Sequence, residues 1–275
     1  MVVAALHAEP KVEANVIYGM YSGLALLMDV WHPERPNGYG VVHISGSGWH
    51  APMEMNAEPL SHNAQTRMYG KRLADAGYTV FSISHRAAPR FRYPAAVEDA
   101  QRAVRFVRHN AKRWGIRADR IGAVGGSSGG HLVLMLGTLD GKGIEGDPDA
   151  VNRESAKAQC VVARAAPADL SRMAIGAVVS FIGRPAPAKQ YGEASPISHV
   201  SSDDPPILLM HGDKDATVPF EQSEIMEKAL KAAGVAAKLL RVPGGGHGPT
   251  FANPPDPPDY MGEMVQWLDQ HLKIK

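Results

Sequence analysis

The sequence holds a single cysteine, Cys160, so no internal disulfide can form and the fold does not depend on an oxidising compartment. Its setting, the apolar run Gln159-Cys160-Val161-Val162, is that of a small buried side chain rather than a reactive thiol. No stretch approaches the ~20 apolar residues needed to cross a bilayer, so no membrane span is expected. No His or Cys pair shows the spacing of a zinc site such as H-E-x-x-H, which argues against a bound metal. An excess of charge is also lacking. With 29 basic and 28 acidic residues the net charge is +1, and the basic residues are scattered, so there is no electrostatic footprint for nucleic acid.

What is present suits a sizeable core. The chain has 275 residues, 44% of them hydrophobic, and α/β folds reach this size as a single unit. The apolar start, Met1 to Pro10, reads equally as the tail of a secretory signal without its basic region and as a frayed terminus. The compartment stays open between secreted or periplasmic and cytoplasmic, and nothing speaks against a homo-oligomer.

Short β-rich apolar runs alternate with longer amphipathic ones. That alternation predicts an α/β fold, a mostly parallel eight-stranded sheet with helices on both faces. The strands are expected at Val12–Tyr18, Ala25–Trp31, Val41–Ser45, Thr79–Ser84, Ile121–Gly125, Cys160–Arg164, Ile207–His211 and Lys238–Val242. The first two suggest an antiparallel hairpin at one edge. Helices are expected at Thr66–Ala76, Ala95–Lys112, Gly129–Leu139, Glu221–Ala233 and Asp259–Leu272. In the second of these, Val97, Val104, Phe106 and Val107 recur at helical spacing while Glu98, Arg102, Arg105 and Arg108 face elsewhere. The segments 166–206 and 140–158 break the alternation and follow strands. Long connections at the carboxyl ends of parallel strands surround the ligand crevice, so the first is read as a small cap and the second as a candidate addition to it, against the plainer alternative of surface loops. The whole of 1–275 is read as one domain.

The most informative stretch is Ile121-Gly122-Ala123-Val124-Gly125-Gly126-Ser127-Ser128-Gly129-Gly130-His131. It fits G-x-S-x-G with Ser127 central, between a strand and an apolar helix, which is the context that motif requires. Ser127 would stand at a helix N-terminus, where free N–H groups favour developing negative charge. A second register makes Ser128 the nucleophile. Ser127 is preferred because only that register puts the serine where the strand ends.

A serine hydroxyl needs an adjacent imidazole to take its proton, and the imidazole needs a carboxylate to fix its tautomer. Among 12 histidines, His247 stands out by its glycine-rich loop, Pro243-Gly244-Gly245-Gly246-His247-Gly248, after the last strand. The preceding strand runs into Met210-His211-Gly212-Asp213-Lys214-Asp215. Asp215 is the preferred acid, with Asp213 its competitor. His211 is expected to brace the acid loop and His131 to pack behind the serine. The loop Ser45-Gly46-Ser47-Gly48-Trp49 follows the third strand. The backbones of Gly46 and Ser47, with the N–H of Ser128, are the expected oxyanion donors, and Trp49 is expected to meet substrate.

With these pieces in place the chain resembles the α/β-hydrolase superfamily. Within it, the chain is similar to the esterase/lipase branch that includes hormone-sensitive-lipase-like enzymes and bacterial feruloyl and acetylxylan esterases. The likeness runs from Met28 to Leu272, through Met28-Asp29-Val30-Trp31-His32-Pro33, Tyr93-Pro94-Ala95-Ala96-Val97-Glu98-Asp99, Gly129-Gly130-His131-Leu132, Ser195-Pro196-Ile197-Ser198 and Pro205-Pro206-Ile207-Leu208-Leu209-Met210-His211-Gly212-Asp213. It departs at the oxyanion loop, where that branch usually reads His-Gly-Gly-Gly-Trp. The resemblance implies a serine carboxylesterase acting on a small-molecule ester with Ser127, Asp215 and His247 as its triad and no cofactor. A peptidase of the prolyl-oligopeptidase type and a non-catalytic binding module on the same scaffold are the rival readings.

Overall fold

The computed structural model describes residues 9–51, 58–173 and 175–273. Met1–Ala8, most of the apolar start, lies outside them. Among the described residues eight strands form one sheet: β1 (Lys11–Tyr21), β2 (Leu24–His32), β3 (Gly40–Ile44), β4 (Thr79–Ile83), β5 (Ile121–Gly126), β6 (Cys160–Arg164), β7 (Ile207–Gly212) and β8 (Ala237–Val242). Their order is β1-β2-β4-β3-β5-β6-β7-β8. β2 runs antiparallel to β1 and β4, and every other pairing is parallel. The expected edge hairpin is therefore present. Every residue of β3 to β7 is buried, which is why these strands read as unbroken apolar runs: a parallel sheet is covered on both faces.

The helices are α1 (Ala64–Asp75), α2 (Ala95–His109), α3 (Ser128–Thr138), α4 (Gly176–Ile182), α5 (Ala188–Glu193), α6 (Glu221–Ala232) and α7 (Tyr260–Leu272). One face of the sheet packs against α2, α3 and α6 in a core that includes Val104, Leu132, Met226 and Leu230. The other packs against α1 and α7 through Tyr69, Leu73, Met264 and Leu268. α1 begins two residues earlier than expected, because the Asn63 side chain accepts from the N–H groups of Gln65 and Thr66 and caps it there. No described helix is long and apolar enough to cross a membrane.

The arginines of α2 face away from its apolar stripe, as expected, and onto the segment 140–158. Arg102 Nη1 donates to Asn152 Oδ1 at 2.7 Å, Arg105 Nε to the Glu154 carbonyl at 3.1 Å, and Arg108 to the carbonyls of Ser155 and Lys157 at 2.8 Å. These guanidinium groups clamp the segment 140–158 onto α2 rather than facing water. The loop's own carbonyls, unmatched by any ladder, need such donors. The segment thus packs on α2, and none of its residues is among those lining the cleft described below. The segment 166–206 carries α4 and α5, and it is pinned by Ser195, whose Oγ accepts from the Leu170 N–H and donates to the Tyr191 carbonyl.

Gly70, inside α1, lies under the Trp31 indole, and a Cβ there would stand 2.6 Å from Trp31 Cε2. In an open helix Gly→Ala gains about 1 kcal/mol, whereas overpacking of a filled site costs about 1–3 kcal/mol. Gly70→Ala should therefore lower the Tm of thermal unfolding followed by circular dichroism. A raised Tm would mean that the indole is free to give way.

Candidate active site

Ser127 joins β5 to α3 with φ 54° and ψ −123°. The turn is possible because glycines flank it. A Cβ on Gly129 would overlap the Ile44 carbonyl, and one on Gly125 would overlap the Gly129 carbonyl. The Ser127 N–H donates to the Arg164 carbonyl at 2.8 Å, fixing the turn against β6.

The loops after β7 and β8 converge on this serine. The Ser127 hydroxyl lies 3.0 Å from His247 Nε2, and His247 Nδ1 lies 2.7 Å from Asp215 Oδ2. An Nδ1–H donating to the carboxylate leaves Nε2 free to accept from the hydroxyl, the tautomer that a general base needs. Asp215 Oδ1 accepts from the N–H groups of Thr217 at 2.8 Å and Val218 at 2.9 Å. His211, fully buried, places Nε2 3.3 Å from Asp215 Oδ2 and Nδ1 2.7 Å from Ser223 Oγ. Burial alone would raise the Asp215 carboxyl's pKa. The hydrogen bonds from His211, His247 and the Val218 N–H outweigh it and hold the group well below the usual carboxylate range. The acid is thus a permanent anion beside the imidazole.

Both sequence ambiguities have a geometric answer. Ser128 Oγ turns away from the imidazole and accepts from the Ser47 N–H at 2.9 Å. Asp213 pairs with Arg241 at 2.8 Å and caps the Gly244 N–H at 2.8 Å. Neither touches His247.

The loop after β3 lies against the serine. A Cβ on Gly46 would stand 2.8 Å from the Gly126 carbonyl and 2.9 Å from Ser127 Cβ, so only glycine fits. The structure differs from the expectation of free donors. The Ser47 N–H is engaged by Ser128 Oγ, and the Gly46 N–H faces the Gln65 amide oxygen at 3.3 Å once that amide is oriented to satisfy both its neighbours. Trp49 borders the cleft, but its indole is locked in place. It is 1% exposed, stacks on Phe181 with centroids 4.5 Å apart and donates to His131 Nδ1 at 3.2 Å. His131 in turn binds the Ala194 carbonyl through Nε2 at 2.7 Å. Burial pushes the His131 pKa down to about 4 against the pull of that carbonyl, so the ring is a neutral strut. Trp49 is a pillar between the loop and α4 more than a surface offered to substrate.

The cleft over Ser127 encloses ≈ 290 Å³. Its walls include Pro167, Ile175 and Ala177 of the segment 166–206, residues that sequence alone does not single out because that segment has no periodicity to orient them. Gln65 and Arg164 also line it. The one signal for Arg164 was a basic residue ending an otherwise apolar strand. Among the described residues, no group of three or more His, Cys, Asp or Glu side chains could hold a metal ion.

A family profile described as BD-FAE matches residues 28–230, more than half of the chain. Esterase LipQ of Mycobacterium tuberculosis is 28% identical over 241 residues, covering 81% of this chain and 53% of its own length. The chain spans about half the length of the curated relatives it matches. Among solved structures, a truncated carbohydrate esterase from gut microbiota superposes with a TM-score of 0.81 at 29% identity, over 98% of this chain and 99% of that one. An acetyl ester-xyloside bifunctional hydrolase from Caldicellulosiruptor lactoaceticus superposes with a TM-score of 0.76 at 25% identity, over 98% and 97% of the two chains.

Two substitutions separate the neighbouring acids. Asp215→Asn, which leaves His247 in the wrong tautomer, should lower kcat on an activated ester by about 10⁴, while Asp213→Asn should stay within about threefold, as suits an acid outside the site. The depressed Asp215 carboxyl also contributes stability above about pH 4, the ordinary aspartate value, that is lost as the pH falls below it. Asp215→Asn should accordingly flatten the dependence of Tm on pH in that acid range. Equal loss of kcat in both variants would remove Asp215 from its assigned role.

Proposed function

The chain belongs to the BD-FAE family of α/β-hydrolases, and from that membership we propose that it is a serine carboxylesterase acting on short-chain or carbohydrate-linked esters through an acyl-enzyme. The observation that carries the reading is the chain of contacts Ser127 Oγ to His247 Nε2 to Asp215, at 3.0 and 2.7 Å.

In this reading Ser127 Oγ attacks the ester carbonyl carbon while its proton passes to His247 Nε2. Asp215 stabilises the imidazolium through Nδ1–H. The carbonyl oxygen becomes an oxyanion beside the Ser128 N–H, joined by the Ser47 N–H as it leaves Ser128 Oγ and by the Gly46 N–H shared with Gln65; one such donor is worth about 3 kcal/mol of transition-state stabilisation. The tetrahedral intermediate collapses, the alcohol oxygen takes the proton from His247, and the acyl group stays on Ser127. Water then attacks the acyl carbon with His247 again as base, releasing the carboxylic acid and the free serine. The mechanism calls for no metal or organic cofactor.

The substrate class rests on the size of the cleft. A volume of ≈ 290 Å³ is at the low end for small-molecule sites, and its apolar walls at Ile175, Ala177 and Val218 suit a short acyl group. The segment 166–206 serves as a small cap that closes one side. The similarity to a carbohydrate esterase and an acetyl ester-xyloside hydrolase supports acetylated or feruloylated sugars as the alcohol or acyl component. A peptidase of the prolyl-oligopeptidase type is not favoured, since the relatives that cover most of the chain are named as esterases.

A p-nitrophenyl ester series from acetate to long acyl chains, with methyl ferulate, acetylated xylan and peptide anilides alongside, tests the reading. The expected result is highest kcat/KM at the short esters, a fall of about tenfold for each few methylenes that the cleft rejects, and no anilide cleavage. Ser127→Ala should abolish ester turnover and fluorophosphonate labelling without loss of the folded state. Ester turnover that survives Ser127→Ala would refute the assignment.

A further inference from the structure

Arg164 ends β6 beside the Ser127 turn, and at 1% exposure it is the most completely buried arginine among the described residues. Burying a guanidinium costs several kcal/mol unless a counter-charge or a full set of acceptors receives it. Among the described residues no carboxylate meets it. Its partners are neutral. Nη1 donates to the Gly248 carbonyl, the residue after His247. With the Gln65 amide oriented so that its oxygen faces both donors, that oxygen lies 3.2 Å from Nη2 and 3.3 Å from the Gly46 N. Phe251 covers the guanidinium with its ring centroid 5.8 Å away, and Gly126 supplies the floor, since a Cβ there would overlap the guanidinium. Nε has no partner.

These contacts share a pattern. Ser127 is tied to Arg164 by its N–H on the Arg164 carbonyl. The base is tied by Nη1 on the peptide next to His247, and the oxyanion loop by Nη2 through Gln65. One residue thus reaches the three loops whose spacing decides the reaction, and two of them through the planar fork that only arginine has. The His247 loop needs such a grip. It contains Gly244, Gly245, Gly246 and Gly248, two of them at φ 68° and 118°, and glycine backbone stays ordered only where contacts hold it.

Resting on the esterase reading, we propose that Arg164 is a positioning residue of ester hydrolysis: it holds the loop of His247 and, through Gln65, the oxyanion loop at Gly46 in register with Ser127. A structural cation would affect stability alone. A positioning one affects kcat, because displacement of a catalytic group by about 1 Å costs up to about 10²-fold in rate.

The test uses p-nitrophenyl acetate with wild type, Ser127→Ala, Arg164→Met, Arg164→Lys, Gln65→Leu and the double variant Arg164→Met/Gln65→Leu, each with its thermal melt. Arg164→Met should lower kcat by about 30- to 100-fold with KM changed by less than about threefold. Arg164→Lys should recover part of the loss, since an ammonium reaches one acceptor but not both. Gln65→Leu should cost about tenfold alone and almost nothing in the Arg164→Met background, because the two act as one unit. Where Arg164→Met does not fold, the lysine variant and Gln65→Leu decide alone: a kcat loss in both at unchanged KM supports the proposal, and wild-type kcat in either overturns it. Additive losses in the double variant, or a loss that appears only in KM for an ester bearing a carboxylate, would also overturn it, the second in favour of an anion subsite. Turnover that survives Ser127→Ala sinks the esterase reading and this proposal with it. Ser127-dependent turnover with wild-type kcat in Arg164→Met sinks the proposal alone.

Discussion

At φ 54° and ψ −123°, Ser127 holds a backbone conformation that costs a non-glycine residue of order 1–3 kcal/mol. It persists because three stretches of main chain close around it: Ile44 to Gly46 after β3, Gly125 to Gly130 across the turn, and Arg164 at the end of β6. At Gly46, Gly125, Gly126 and Gly129 a Cβ would collide with a neighbour. The reward of that close approach is position. The serine stands clear of the sheet between the β3 loop and the β8 loop, at the head of α3, and its hydroxyl points at an imidazole. Remove the close approach and the Gly46–Ser47 loop, the Ser127 hydroxyl and the His247 imidazole no longer share a centre.

Electrostatics in the site follows from how each buried charge is satisfied. The Asp215 carboxylate takes two backbone N–H groups on one oxygen and two histidines on the other, so the anion is stable despite burial. Arg86, on the chain leaving β4, is handled in the opposite way. It is paired directly with Asp99 at 2.8 Å and with Glu98 at 2.8 Å, and this fixes the turn whose Ala88 N–H donates to the Trp49 carbonyl at 2.8 Å. Trp49 is therefore held from its main chain by one structure and from its indole by another, through His131 and Phe181. The oxyanion loop inherits rigidity from both.

What the sequence reveals and what it hides divide along a physical line. Strands buried on both faces must be apolar throughout, so β3 to β7 can be read directly. Ser127, Asp215 and His247 can be read because each follows a strand in a short loop with glycines or turn residues, in an order that one fold uses. Side chains whose role depends on a distant partner cannot. Trp49 borders the cleft, but its stacking on Phe181 is hidden in the sequence, since Phe181 comes from a segment with no periodicity. Arg102, Arg105 and Arg108 read only as residues off the apolar stripe, and what they face, the segment 152–157, is seen in the fold alone. Arg164 looks like the polar end of a strand. In each case the informative fact is a long-range pairing that composition and spacing do not encode.

The hydrogen bond from the Ser47 N–H to Ser128 Oγ shows how the oxyanion loop departs from an all-glycine one. The acceptor is the side chain of Ser128, whose own N–H is the third donor of the proposed oxyanion site. An oxyanion is a stronger acceptor than a hydroxyl, so as charge develops the Ser47 N–H has reason to turn from Ser128 Oγ to the substrate. The energy of that exchange appears only when the charge does. An interaction that strengthens between ground and transition state raises kcat rather than merely tightening binding. Ser128 Oγ, released, can in turn donate its own proton. In the proposed hydrolysis the pair Ser47 and Ser128 thereby keeps the loop in place while the site is empty of charge and hands over its donor when the tetrahedral intermediate forms, so serine at position 47 is compatible with that reaction because its backbone, and not its side chain, is what the chemistry uses.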